Sequence, residues 1–138
     1  MALDLTVDGT SLNDGVISRV AAWDGVFASA PLRGSNLVVP GLAGAIHMPK
    51  VRDAYVFTVP LVLLGSSWGD LQDRLDDLRA LVDSSAGALT LVRTRPTGGA
   101  DAVETCEADY LSGLEPSMVN LSTGRVALDF VNLSGGWA

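Results

Sequence analysis

The chain contains one histidine, His47, and one cysteine, Cys106, so a nucleophilic site inside one subunit would have to be a single Cys-His pair. Such a pair needs hydrogen-bond contact and a third group that orients the base. A structural zinc site, which draws on several His or Cys ligands, has too few of them here. Carboxylates are more plentiful. Asp73 and Asp77 fall on one face of a helical stretch, as paired acids or hard-cation ligands would, but Arg74 and Arg79 are interleaved with them and the pattern describes a self-paired, solvated face. The stretch DGTSLND over residues 8–14 departs from the alternating ligands of a calcium loop at Leu12 and lacks the closing glutamate. Gly34, Gly41 and Gly44 match neither the phosphate-cradling loop nor the dinucleotide fingerprint. Trp23, Trp68 and Trp137 are not interleaved with basic residues as a base-stacking platform would be, and Trp68 reads as a core residue at a helix start. The residues therefore nominate no catalytic, cofactor-binding or metal-binding group, and Cys106 is expected to pack as a small apolar side chain.

The elements that would position any site read as mainly β with one helix. Leu3, Leu5 and Val7 alternate with polar partners, a strand pattern, and the Asp8-Gly9 and Asn13-Asp14-Gly15 steps are turn signals. Residues 16–23 read as a second strand, followed by a loop that runs to Pro31. Residues 36–40 form a short β-branched segment stopped by Pro40-Gly41, where proline fixes φ and glycine accepts a positive one, and residues 44–48 read as the return strand. Residues 54–64, AYVFTVPLVLL, are nearly all apolar, so both faces of this strand are expected to be covered. Pro60 cannot donate to a ladder, which points to a bulge or an edge that another copy could pair with. Ser67 is a good N-cap for a helix over residues 68–84, with Leu71, Leu75 and Leu78 on one stripe and Asp70 placed to pair with Arg74. Strands follow at 88–94, 103–111 and 125–131, the last with Val126, Leu128 and Phe130 on one face. Residues 134–138 are expected to be a flexible tail unless Trp137 docks.

Length and composition fit one domain over residues 1–138. The apolar fraction of 48% against 18% charged residues exceeds what one small core needs, which suggests buried contacts between subunits. A net charge of −7, with the nine basic residues dispersed, provides no patch able to neutralise successive phosphates. The N-terminal MALDLTVDG has neither a basic nor an apolar signal region, and the longest apolar run is far short of the roughly 20 residues that span a bilayer, so no membrane partner is expected.

Taken together, Arg33-Gly34-Ser35-Asn36 leading into Val38-Val39-Pro40-Gly41, Gly44 shortly after, the long apolar strand, the Leu71-x3-Leu75-x2-Leu78 helix and the closing run from Gly124 to Phe130 resemble the N-terminal domain of phage distal tail proteins and siphophage minor tail proteins. The resemblance implies a β-sandwich or open barrel packed against a single helix, tail-tube-like in outline. It also implies six copies in a ring that joins the tail tube to tail-tip or baseplate proteins and leaves a channel for DNA without binding it specifically. On this reading the chain is a virion tail component, assembled in the bacterial host cytoplasm, with no enzymatic role. Its subunit interface is expected at Arg33, Asn36, Val39, Pro40, Gly41, Gly44 and Pro60. A repeating tail-tube subunit or a tail-completion ring shares the fold outline and stays open. From another class, a small β-barrel ligand-binding protein or enzyme using Cys106 and His47 also stays open.

Overall fold

The computed structural model describes residues 3–29 and 31–138. The loop expected up to Pro31 includes Ala30, which lies outside them. The chain forms β1 (Asp4–Val7), β2 (Thr10–Ser11), β3 (Ser18–Val20), β4 (Leu32–Arg33), β5 (Val51–Arg52), β6 (Tyr55–Leu64), α1 (Trp68–Leu81), β7 (Leu89–Arg95), β8 (Ala102–Ser112), β9 (Ser117–Met118) and β10 (Thr123–Asn132). Eight strands make one antiparallel sheet in the order β2-β1-β7-β8-β10-β6-β3, with β9 on β10, and the sheet curls into a half-barrel against α1. The strands β4 and β5 pair only with each other.

The half-barrel is built on the pairing of β6 with β10, which runs unbroken from Tyr55↔Asn132 to Leu64↔Thr123. Period-two alternation sends Phe57, Val59, Leu61 and Leu63 inward beside Val126, Leu128 and Phe130, where they meet Leu5, Val7, Leu89, Leu91 and the helix stripe Leu71, Leu75 and Leu78. The outward face of β6 differs from expectation. Val62 is buried, flanked in register by Arg19 and Arg125, whose aliphatic stems share its face, whereas Val56 and Thr58 are exposed. One face of the strand is core; the other is covered only at its C-terminal half.

Pro60 is not on a bare edge. The strand β10 lies along one side of it, and on the other the Pro60 carbonyl accepts from Ala21 N–H at 2.8 Å, just past the end of β3. Because N and C=O of one strand residue point to the same side, the missing donor falls where the β3 ladder runs out, so no bond within the sheet is lost. Beyond it the 24–27 turn takes over the edge. A Cβ on Gly25 would come within 2.5 Å of the Thr58 carbonyl, so only glycine fits this approach.

The helix starts as the sequence predicts and stops earlier. Ser67 Oγ accepts from Asp70 N–H, while Asp70 accepts from Ser66 N–H and pairs with Arg74 at 3.4 Å. At the other end Asp83 accepts from Ser85 N–H and Ser84 Oγ accepts from Tyr110 N–H, so both side chains serve non-helical backbone and α1 closes at Leu81. Trp68 is 47% exposed rather than core, because it sits on the first turn, beyond the part of α1 that the sheet covers. The strand expected over 16–23 shrinks to β3, since Asp14 caps the N–H groups of Val16, Ile17 and Ser18 and holds that stretch in a turn.

Residues 134–138 dock. Ala138 and Thr105 exchange backbone bonds at 2.7 and 3.0 Å, and Trp137 packs on Phe57 with its Nε1–H donating to the Tyr55 hydroxyl. The Arg93 guanidinium lies over both Trp137 and Phe27, donates to the Val26 carbonyl and pairs with Glu104. This closes the end of the half-barrel opposite α1.

Two outcomes follow from this packing. Leu128→Ala, which empties a fully buried site at the centre of the sheet, is expected to cost about 2–5 kcal/mol in urea unfolding. Bonds from Arg95 and then Arg93 hold the Glu104 carboxyl below its ordinary value of 4.5. Its contribution is therefore complete above that value and lost as pH falls through the lowered one. Glu104→Gln should be less stable than the parent by about 1 kcal/mol at pH 7, with the gap closing in acid.

Candidate functional site: an apolar arm

Between Pro31 and Asp53 the chain leaves the body and returns. Asp53 N–H donates to the Pro31 carbonyl at 2.9 Å, β4 pairs with β5 through Leu32↔Arg52 and Arg33↔Val51, and an isolated bridge joins Leu37 to Ile46. The two strands expected over 36–40 and 44–48 are thus one hairpin with a single bridged pair. Its end is the turn that the Pro-Gly step specifies: Leu42 N–H donates to the Val39 carbonyl at 3.1 Å, with Gly41 at φ +85° in the third position, the geometry of a type II turn.

The hairpin is ordered from within. Asn36 Oδ1 accepts from Lys50 Nζ at 2.7 Å and from Met48 N–H at 3.3 Å, and Gly34, at φ +130°, lets the backbone pass against the Lys50 stem. An exposed Arg33–Asp53 pair at 3.6 Å spans the root. None of the arm's apolar residues enters the core. Val38 is 69% exposed, Leu32 64% and Leu42 61%, and Leu37, Ile46, Met48 and Val51 are also exposed. Seven exposed apolar side chains on one small element make the arm the candidate interaction surface.

Six of the seven residues expected at an interface, Arg33, Asn36, Val39, Pro40, Gly41 and Gly44, lie on this arm. Pro60 lies in β6, where Ala21 and β10 leave no backbone edge for a second copy. Sequence reasoning did not single out the exposed Leu32, Ile46 and Val51; the signal was their apolarity within a stretch broken by Pro31, Pro40 and Pro49. The chemical pair considered from the sequence is not assembled. His47 is exposed on the arm, while Cys106 is buried on β8 opposite Leu91, and burial pushes its thiol up to about 12, opposed only by the Arg93 charge. A thiol held that high is protonated at neutral pH and is a poor nucleophile. Among the described residues no group of three His, Cys, Asp or Glu side chains could hold a metal ion, and no helix is long and apolar enough to cross a membrane.

The chain is a curled antiparallel half-barrel with one helix and a hairpin that stands outside the core, and this fold has a counterpart among solved structures. The chain is similar to the crystal structure of the Dit protein of phage SPP1, described as a paradigm of the hub adsorption apparatus in phages that infect Gram-positive bacteria. The two superpose with a TM-score of 0.66 and 16% sequence identity, over 96% of this chain and 50% of that one, so this chain spans about half the length of its structural neighbour. The fold agrees with the resemblance to phage distal tail proteins seen in the sequence. No family model and no curated protein matches the chain.

The placement of Cys106 gives a direct check. Iodoacetamide labelling of the native protein should be negligible between pH 7 and 8 and should rise only as urea unfolds it. Rapid native labelling that climbs through neutral pH would contradict the buried, protonated thiol.

Proposed function

We propose that this chain is a structural protein of a long-tailed bacteriophage virion, with residues 1–138 acting as one ring-forming domain at the distal end of the tail. Six copies form a ring that connects the tail tube to tail-tip or baseplate proteins and leaves a central channel through which DNA passes without specific binding. The observation that carries this reading is the arm. It is ordered by its own hydrogen bonds and presents apolar side chains that its own body does not cover, the kind of surface that a neighbouring subunit buries favourably. Likeness to a tail hub protein supports the tail as the place where that neighbour is found. The net charge of −7 suits a channel wall that must not hold DNA. The role is that of a scaffold, without cofactor or catalysis, in a particle assembled in the host cytoplasm.

Light scattering over a wide concentration range tests the assembly. A ring of six 14.3 kDa chains has a mass of about 86 kDa, and stacking of such rings into long tubes would favour a tail-tube subunit over a distal adaptor. Val39→Asp provides a sharper version. Val39 opens the turn at the arm's end and lies outside the core, so a charge there should leave thermal stability within about 0.5 kcal/mol of the parent while abolishing the 86 kDa species. A Val39→Asp protein that still forms the full ring would remove the arm from the interface.

A further inference from the structure

We propose that residues 133–138 are a latch for the arm: docked, they fix its root against the half-barrel, and undocked, they let it pivot while the sheet stays folded. The consequence for assembly rests on the arm reading above; the latch itself does not.

The arm joins the body through two passages of chain, before Leu32 and after Arg52, and β4 and β5 enter no ladder of the eight-stranded sheet. The bond from Asp53 N–H to the Pro31 carbonyl and the exposed Arg33–Asp53 pair tie one leg of the arm to the other. They close the root without setting its angle to the sheet.

Residues 133–138 supply that third point. A Cβ on Gly135, which is buried at φ +71°, would lie 3.1 Å from the Arg52 carbonyl oxygen, and one on Gly136 would lie 3.0 Å from Arg52 Nη1. The backbone at 135–136 therefore runs directly against Arg52, the last residue of β5. Trp137 follows, and its Nε1–H donates at 3.2 Å to the hydroxyl of Tyr55, the residue that opens β6. The Arg93 guanidinium lies 4.6 Å from the Trp137 ring centre and is itself held by Glu104 and the Val26 carbonyl. Arg52, Tyr55, Arg93, Gly136 and Trp137 line one cavity of about 130 Å³, so arm root, latch and sheet meet at a single place.

The latch is held less firmly than the sheet beneath it. Ala138 pairs with Thr105, Leu133 N–H donates to the Glu107 carbonyl and Ser134 Oγ accepts from Glu107 N–H, whereas β6 and β10 stay in register from end to end. A segment bonded to the sheet by so few groups opens at lower free energy than the sheet itself. A root left to pivot must be ordered again when a neighbour binds, which weakens assembly.

The test is a distance measurement by pulsed electron resonance, with Cys106 buried and unlabelled. Nitroxides on Leu42→Cys and Leu111→Cys, both exposed positions, report the arm against the sheet, and labelled protein is diluted in unlabelled protein so that pairs within one chain are read. Nitroxides on Val103→Cys and Leu111→Cys, both on β8 and roughly 26 Å apart along it, report the sheet alone. The parent should give one narrow arm distance. Trp137→Ala should widen that distribution roughly twofold or more and leave the β8 pair unchanged, with Trp137→Phe, which keeps a ring on Phe57 but loses the bond to Tyr55, in between. An arm distance that stays narrow in Trp137→Ala, or that is already broad in the parent, would overturn the latch. If Trp137→Ala broadens the β8 pair as well, Trp137→Phe decides by the same two readings. Light scattering on the same proteins separates latch from ring: a released arm with less of the species of about 86 kDa supports both. A released arm with the ring intact supports the latch and removes the arm from the interface.

Discussion

The pairing of β6 with β10 is the constraint on which the rest of the molecule depends. Residues 55–64 lie opposite residues 123–132 without interruption, and a slip of one residue would turn Phe57, Val59, Leu61 and Leu63 out to solvent and Val56 and Thr58 into the core. Each flanking feature reads its position from that register. The Val62 side chain is covered because Arg19 and Arg125 stand level with it, and Thr58 donates to Asp129 because the two are paired across the strands. Gly113 is required because a Cβ there would collide with the Ala127 carbonyl, next to the bulge that shifts β8 along β10.

From this central pair the two ends of the molecule acquire different characters. At the C-terminal end of β6 the chain turns through Gly65 into α1, and Arg74 ties the helix to the strand end and to the β2–β3 turn through the Leu64 and Val16 carbonyls. At the N-terminal end Tyr55 gathers Trp137 and Asn132 around its hydroxyl, and Asn132, fully buried, has its amide satisfied by Tyr55, Gly136 and Ser134. Both ends of the half-barrel are finished by internal contacts. The arm carries seven of the exposed large apolar residues on one hairpin, which is why the proposed function is assigned to it.

The arm also explains why a chain with 48% apolar residues shows so little chemistry. Its apolar side chains are not surplus core. They stand on a hairpin whose polar groups, Asn36, Lys50 and the Met48 amide, are occupied in holding its shape.

Local signals were legible in the sequence because their physics acts within a few residues. The Ser67 cap, the Asp70–Arg74 pair, the Val39-Pro40-Gly41-Leu42 turn and the alternation of residues 125–131 each depend on near neighbours along the chain, and each is present in the structure. Six of the residues expected at an interface were legible in the same way as turn and hairpin residues, and the structure places them together on the arm. What only the tertiary structure decided concerns partners distant in sequence. Periodicity says that a residue faces inward or outward, but it does not say which strand lies beside Pro60, whether the sheet extends far enough to cover Trp68, or that Tyr110 draws Ser84 out of the helix. Above all, apolarity demands cover without naming the chain that supplies it. Leu32, Val38, Leu42 and Val51 look like core residues until the fold is complete without them, because the free energy of removing them from water is the same whether their own body or a neighbour does it.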